Sequence, residues 1–136
     1  MRTFLFLLVI IMGFTQCKQS EKTPAVVVQH DCEYFKTGTF TLIDSTENLN
    51  TTIVRDNVQQ TETNNITGAI TKASITWTDP CTYQMKYLES TSQNAGNIIG
   101  KTLIVRMVNI EGETYNYTSK LKGSNYTSQN VITKVE

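Results

Sequence analysis

Three cysteines (Cys17, Cys32 and Cys81) and a single histidine, His30, carry the sharpest chemistry in this 136-residue chain. A thiol can attack a substrate, hold a metal, take up a lipid or close a disulfide. Nucleophilic use needs a base beside a free thiol. The only histidine stands next to Asp31 and just before Cys32. One histidine and scattered carboxylates lack the spacing of a metal site. No G-x-S-x-G, P-loop or H-E-x-x-H motif occurs. Glu111 and Glu113 flank Gly112, which suits a solvated turn better than an acid–base pair. The expectation is no catalytic residue, no metal and no cofactor, hence no enzyme.

A second set of residues could recognise rather than react. Trp77, Tyr83, Tyr87, Tyr115 and Tyr117 fall on regular alternate positions of strand-like segments. They could fill a barrel core, or they could line a cavity in which phenol hydroxyls orient a small apolar ligand. Arg55 and Arg106 also sit in strand-like segments, each either a polar handle inside a cup or a charge on the surface. Asn50, Asn65, Asn116 and Asn125 each begin an N-x-[ST] triplet, a chance product of a Thr- and Asn-rich chain. Asp44-Ser45-Thr46 resembles a short bacterial O-glycosylation motif.

The setting of these residues follows from the N-terminal segment. Met1-Arg2-Thr3 precedes an apolar run, Phe4 to Phe14, laid out like a secretory leader. The run is shorter than the ~20 residues that span a bilayer. Phe14-Thr15-Gln16-Cys17 lacks an A-x-A cut but places a cysteine directly after the run. That resembles a bacterial lipoprotein signal, in which the cysteine is lipidated and becomes the new N-terminus. The expected division is a lipoprotein signal peptide at 1–16, a flexible tether at 17–31 and a β-barrel domain at 32–136. Lipid on Cys17 leaves Cys32 and Cys81 as an even pair in an oxidising compartment, which reads as a disulfide.

About 120 residues would then form one domain. Twelve basic residues balance twelve acidic ones, with no basic block, so electrostatic nucleic-acid binding is excluded. Beyond residue 30 the apolar period is two. Ala73, Ile75 and Trp77 alternate with polar neighbours. Asp79-Pro80 turns the chain, and Cys81, Tyr83, Met85 and Tyr87 alternate again, which makes a hairpin. Strands are likewise expected over Phe35–Asp44, in a hairpin turning at Asp56-Asn57, over Gly100–Ile110 and over Glu113–Lys122, and in a last segment from Asn125. Gly100–Ile110 is apolar on both faces, which suggests a strand covered on both sides. About eight hairpin-linked strands must hide their edges. The expected fold is all-β, an antiparallel meander closed into a lipocalin-like barrel, with a β-sandwich as the alternative.

Cys32–Phe40 ("CEYFKTGTF"), Trp77–Tyr87 ("WTDPCTYQMKY") and Ile53–Glu62 ("IVRDNVQQTE"), with the leader, resemble a family of small lipoproteins of Flavobacteria and other Bacteroidota. The resemblance implies a lipocalin-like fold and no established activity. Some members carry a DNA topoisomerase label, which the size, export signal and charge of this chain do not support. The expected function is a protein lipid-anchored in the cell envelope, at the outer membrane, that binds a small apolar ligand. The alternative is a filled barrel that docks on another envelope protein.

Overall fold

The structure, a computed structural model, describes residues 29–136. The leader and Cys17 lie outside the described residues. Eight strands run in chain order around a closed barrel, each antiparallel to its neighbours. They are β1 (Gly38–Asp44), β2 (Leu49–Arg55), β3 (Gln59–Asn64), β4 (Ile70–Asp79), β5 (Thr82–Ser90), β6 (Thr102–Glu111), β7 (Thr114–Leu121) and β8 (Ser128–Lys134). This is the lipocalin-like barrel, and not the sandwich. The seam between β1 and β8 is short, pairing Phe40 with Lys134 and Thr41 with Thr133.

Side-chain amides and carboxylates shape the turns. The Asp56 carboxylate accepts the Val58 and Gln59 amides, and Asn64 accepts those of Ile66 and Thr67. Asp79 accepts the Cys81 amide and tightens the β4–β5 turn. Asx turns of this kind fix strand register from short sequence signals. Inside, Phe40, Ile53, Ala73, Ile75, Tyr83, Met85, Val105, Met107, Tyr115 and Ile132 form the core.

Two expectations need correction. Phe35 does not open the first strand. Asp31 caps a short 3-10 helix, Cys32–Phe35, by accepting the Tyr34 amide. That helix drives Phe35 into one end of the barrel, where it is fully buried against Tyr115. Nor is β6 covered on both faces. Val108 on its outer side is 55% exposed, because no second layer packs outside a closed barrel.

The capped end is tied to almost every strand that reaches it. Cys32 is joined to Cys81 in the β4–β5 turn by a disulfide. Lys134, at the end of β8, donates to the Tyr34 carbonyl and lies over the Tyr34 ring. Tyr34 donates to Glu113 in the β6–β7 turn, and His30 stacks on Tyr34 at 3.7 Å while reaching the same carboxylate. Gln29 donates to the Ile110 carbonyl. Residues 29–31, placed in the tether on sequence, thus lie against the barrel.

Gly38 sets the crossing from this cap into β1. Its φ is +131°, and a Cβ there would collide with the Glu136 carbonyl oxygen and with Lys134 Cε. Gly38→Ala is therefore expected to cost about 2 kcal/mol, from backbone strain and displacement of the seam. Gly96 has open space and no unusual φ, so Gly96→Ala serves as the neutral control. Urea midpoints of the two variants check this; equal midpoints would contradict it.

Candidate functional site

The other end of the barrel is open, and its interior is hollow. A chamber of about 270 Å³ is lined by Leu42, Ile53, Met85, Leu103, Val105 and Ile132, by Tyr83, Tyr87 and Tyr117, and by Gln60, Glu62, Ser119 and Ser128. Toward the open end lies a mouth of about 280 Å³ among Thr51, Asn64, Thr67, Thr71, Ser90, Asn94, Ala95 and Ile98. Glu62 lines both. The mouth is covered in part by the β5–β6 loop, whose short 3-10 helix Ala95–Asn97 tucks Ala95 inward.

Strand parity decides which residues face this space. On β3, Gln60, Glu62 and Asn64 share the inner side, so that strand brings a polar stripe into the barrel. On β7, Tyr117 and Ser119 do the same, and Ser119 bonds Ser128 of β8 at 2.8 Å.

Beneath the chamber lies a buried charge. Arg55 is only 2% exposed. Its Nε donates to Gln60 Oε1 at 2.7 Å. One terminal nitrogen donates to the Phe35 carbonyl and the Tyr115 hydroxyl, and the other to the Tyr83 hydroxyl. The guanidinium also lies 4.8 Å from the Phe40 and Tyr83 rings. One side chain thereby ties the 3-10 cap to β3, β5 and β7. Gln60 completes a relay by donating from Nε2 to Glu62 Oε1 at 2.6 Å.

Glu62 has the most unusual environment. Its remaining exposed area opens onto the cavity, since it lines both mouth and chamber. Burial raises its pKa above the ordinary carboxylate value, and the Gln60 hydrogen bond and Arg55 charge offset this only in part. Burial also raises the Tyr87 and Tyr117 phenols, with the Glu62 charge adding to the effect. Both tyrosines therefore stay protonated in the physiological range.

A raised folded pKa gives this carboxyl a defined influence on stability. The folded state binds the Glu62 proton at a pH where the unfolded state has released it, so stability falls as pH rises through the folded value. Glu62→Gln keeps the shape and an acceptor for Gln60 but removes the buried charge. It is expected to stabilise the protein by about 1 kcal/mol at pH 7. The gain should vanish below roughly pH 4, where the carboxyl is protonated in both states. Urea midpoints at the two pH values test this, and a variant less stable at pH 7 would refute it.

The residues named on sequence as ligand contacts fall in four places. Tyr83, Tyr87 and Tyr117 line the chamber. Arg55 and Tyr115 lie beneath it, in the buried network. Trp77 packs at the capped end, 4.8 Å from Tyr83 and under Lys36, with its indole N–H buried and without a partner among the described residues. Arg106 is exposed on the outer face of β6, near Asp79 and Thr118. Of the two places open to it on sequence, inside a cup or on the surface, it takes the surface, so it is not a ligand contact: Val105 and Met107 point in and Arg106 points out. Glu62, Gln60, Ser119 and Ser128 were not singled out on sequence. Among the described residues no cluster of three His, Cys, Asp or Glu could share a metal ion. No described helix is long and apolar enough to cross a membrane.

Fold and site together define a small eight-stranded, lipocalin-like β-barrel, capped at one end and hollow toward the other. Compared with protein-family models, with curated proteins and with solved structures, the chain matches none of them.

Proposed function

We propose that the protein is a non-enzymatic binder of a small molecule, which it holds in the barrel chamber. The observation that carries this reading is the chamber itself, about 270 Å³, walled by aliphatic and tyrosine side chains with Gln60 and Glu62 of β3 and Ser119 and Ser128 of β7 and β8 among them. Ligand sites are concave, mostly apolar, and carry a few polar groups that fix orientation. The volume lies just below the usual range for such sites, so the ligand is compact, with an apolar body. A docking module with a filled barrel is the competing reading, and the hollow interior favours the binder.

The reading extends to location. Lipid on Cys17 would anchor the protein to a bacterial membrane, in keeping with the leader and the following cysteine. Twelve residue steps separate Cys17 from Gln29, a reach of at most about 40 Å. Gln29 meets the barrel at its capped end. The tether would therefore join the membrane to the capped end, opposite the mouth.

Native mass spectrometry of the protein released gently from its own membranes tests this, read against the denatured mass. A small non-covalent adduct, lost on denaturation, is the expected result. Identical masses, with no rebinding from a concentrated membrane extract, would favour the filled-barrel reading. The denatured mass also reports whether Cys17 carries lipid.

A further inference from the structure

We propose that the ligand is a small organic cation, an amine or quaternary ammonium on a compact apolar body, with Glu62 as its counter-charge and Tyr87 and Tyr117 as its aromatic walls. This rests on the chamber being a ligand site, and it adds the chemical class.

The distribution of free hydrogen-bonding capacity supplies the first argument. Arg55 lies beneath the chamber, but four of its five N–H donors are spent on Gln60, Phe35, Tyr115 and Tyr83. It does not reach the chamber wall. An anionic ligand would find no available guanidinium and would be repelled by Glu62. Glu62 is the reverse case. Among the described residues its only hydrogen-bond donor is Gln60, to one carboxylate oxygen. It makes no salt bridge with Arg55, because Gln60 stands between them. The other oxygen has no protein donor, and the residue faces the cavity. A part-buried carboxylate whose second oxygen meets only the cavity is better satisfied there by a cation than by water.

The second argument is the wall opposite. Tyr87 and Tyr117 line the same chamber, and Glu62 is near enough to act on the titration of both. Tyrosine rings present negative π faces that attract cations, and more strongly where water is excluded. The barrel already uses this chemistry lower down, where the Arg55 guanidinium lies over Phe40 and Tyr83. A carboxylate and aromatic faces around one small space is the recognition pattern of an organic cation. Leu42, Ile53, Leu103 and Ile132 leave room for its apolar part.

The position of Glu62 agrees with this assignment. It stands where the polar mouth meets the chamber, so an arriving cation meets its counter-charge before it is buried. Burial raises this carboxyl's pKa, and a cation bound beside it would act in the opposite direction and favour the ionised form.

Three probes of one length separate the possibilities. Hexylammonium, 1-hexanol and hexanoate each have six carbons and differ chiefly in the charge of the head group. Isothermal titration at pH 7.5 should show hexylammonium binding about tenfold tighter than 1-hexanol, with hexanoate weakest. Glu62→Gln should bring hexylammonium down to the alcohol while leaving the alcohol within about threefold. Equal binding of amine and alcohol, or a preference for hexanoate, would overturn the cation assignment and leave the chamber reading intact. No binding of any probe at millimolar concentration would remove the chamber reading and this proposal together. The wild-type ranking decides the matter even where the variant folds poorly.

Discussion

Arg55→Met lowers the stability of the barrel by about 3–5 kcal/mol, while Arg106→Met changes it by less than about 0.5 kcal/mol. Both substitutions remove one positive charge from a strand and keep a long, unbranched side chain. Only their surroundings differ. Removing the Arg55 guanidinium leaves the Phe35 carbonyl, the Gln60 amide oxygen and the Tyr83 and Tyr115 hydroxyls without their shared donor, which is itself only 2% exposed. Each orphaned buried group costs about 1–3 kcal/mol, reduced where a hydroxyl can rotate to another partner. Arg106 is exposed, where solvent replaces whatever it touches. A small domain has about 5–15 kcal/mol in hand, so Arg55→Met should be partly unfolded on warming and Arg106→Met should not. Urea unfolding followed by the single tryptophan, Trp77, reads both, and matched small losses would show that the Arg55 network carries little.

The contrast between these two arginines shows what the sequence holds and where its pattern is easy to miss. Ile53 and Arg55 are two apart, so they share a face, and Ile53 is in the core. Arg106 lies between Val105 and Met107, which both point inward. Period-two parity places each charge once the inner face is known, but β6 is apolar on both faces, so for Arg106 that face is set only by the barrel. The same parity laid out the hairpins correctly, because most strands carry apolar residues on one side only. It failed to mark the site because β3 has no apolar side. Gln59-Gln60-Thr61-Glu62-Thr63-Asn64 is polar throughout, so alternation gives no sign of which residues are buried. A strand polar on both faces inside a closed barrel is itself the sign of a polar interior, and it becomes readable only after closure is known. The 3-10 cap was missed for a related reason. Four residues carry no periodicity, and their helical turn is set by one capping bond from Asp31.

Structural support and candidate site sit at opposite ends of one tube. At the capped end the disulfide, the Arg55 network, the Phe35 plug and the Tyr34 contacts converge on a few residues. At the open end the lining is Asn, Thr and Ser, with loops carrying their own Asx turns. The rigid half fixes Gln60, and Gln60 in turn orients Glu62. A buried carboxylate with one donor weakens the fold, and its retention next to an aromatic chamber is the pattern expected where binding outweighs stability.

Removing the Cys32–Cys81 bond should cost about 4 kcal/mol, comparable to the loss of Arg55. The bond spans 49 residues, and cross-linking so long a loop withdraws much of the entropy of the unfolded chain. It also pins the 3-10 cap to the β4–β5 turn, so the paired Cys32→Ser, Cys81→Ser variant loses the anchor of the cap as well as the constraint on the unfolded state. The two contributions can be told apart. A purely unfolded-state effect lowers global stability and leaves hydrogen exchange of the cap and its neighbours unchanged relative to the rest of the barrel. A loosened cap shows selective exchange at Tyr34 and Phe35 and lets water reach Arg55. Because Arg55 and the disulfide hold the same four-residue helix, combining their removal should cost less than the sum of the separate losses. Strict additivity in that double-mutant cycle would mean that the bond acts on the unfolded chain alone, and that Arg55 by itself secures the capped end.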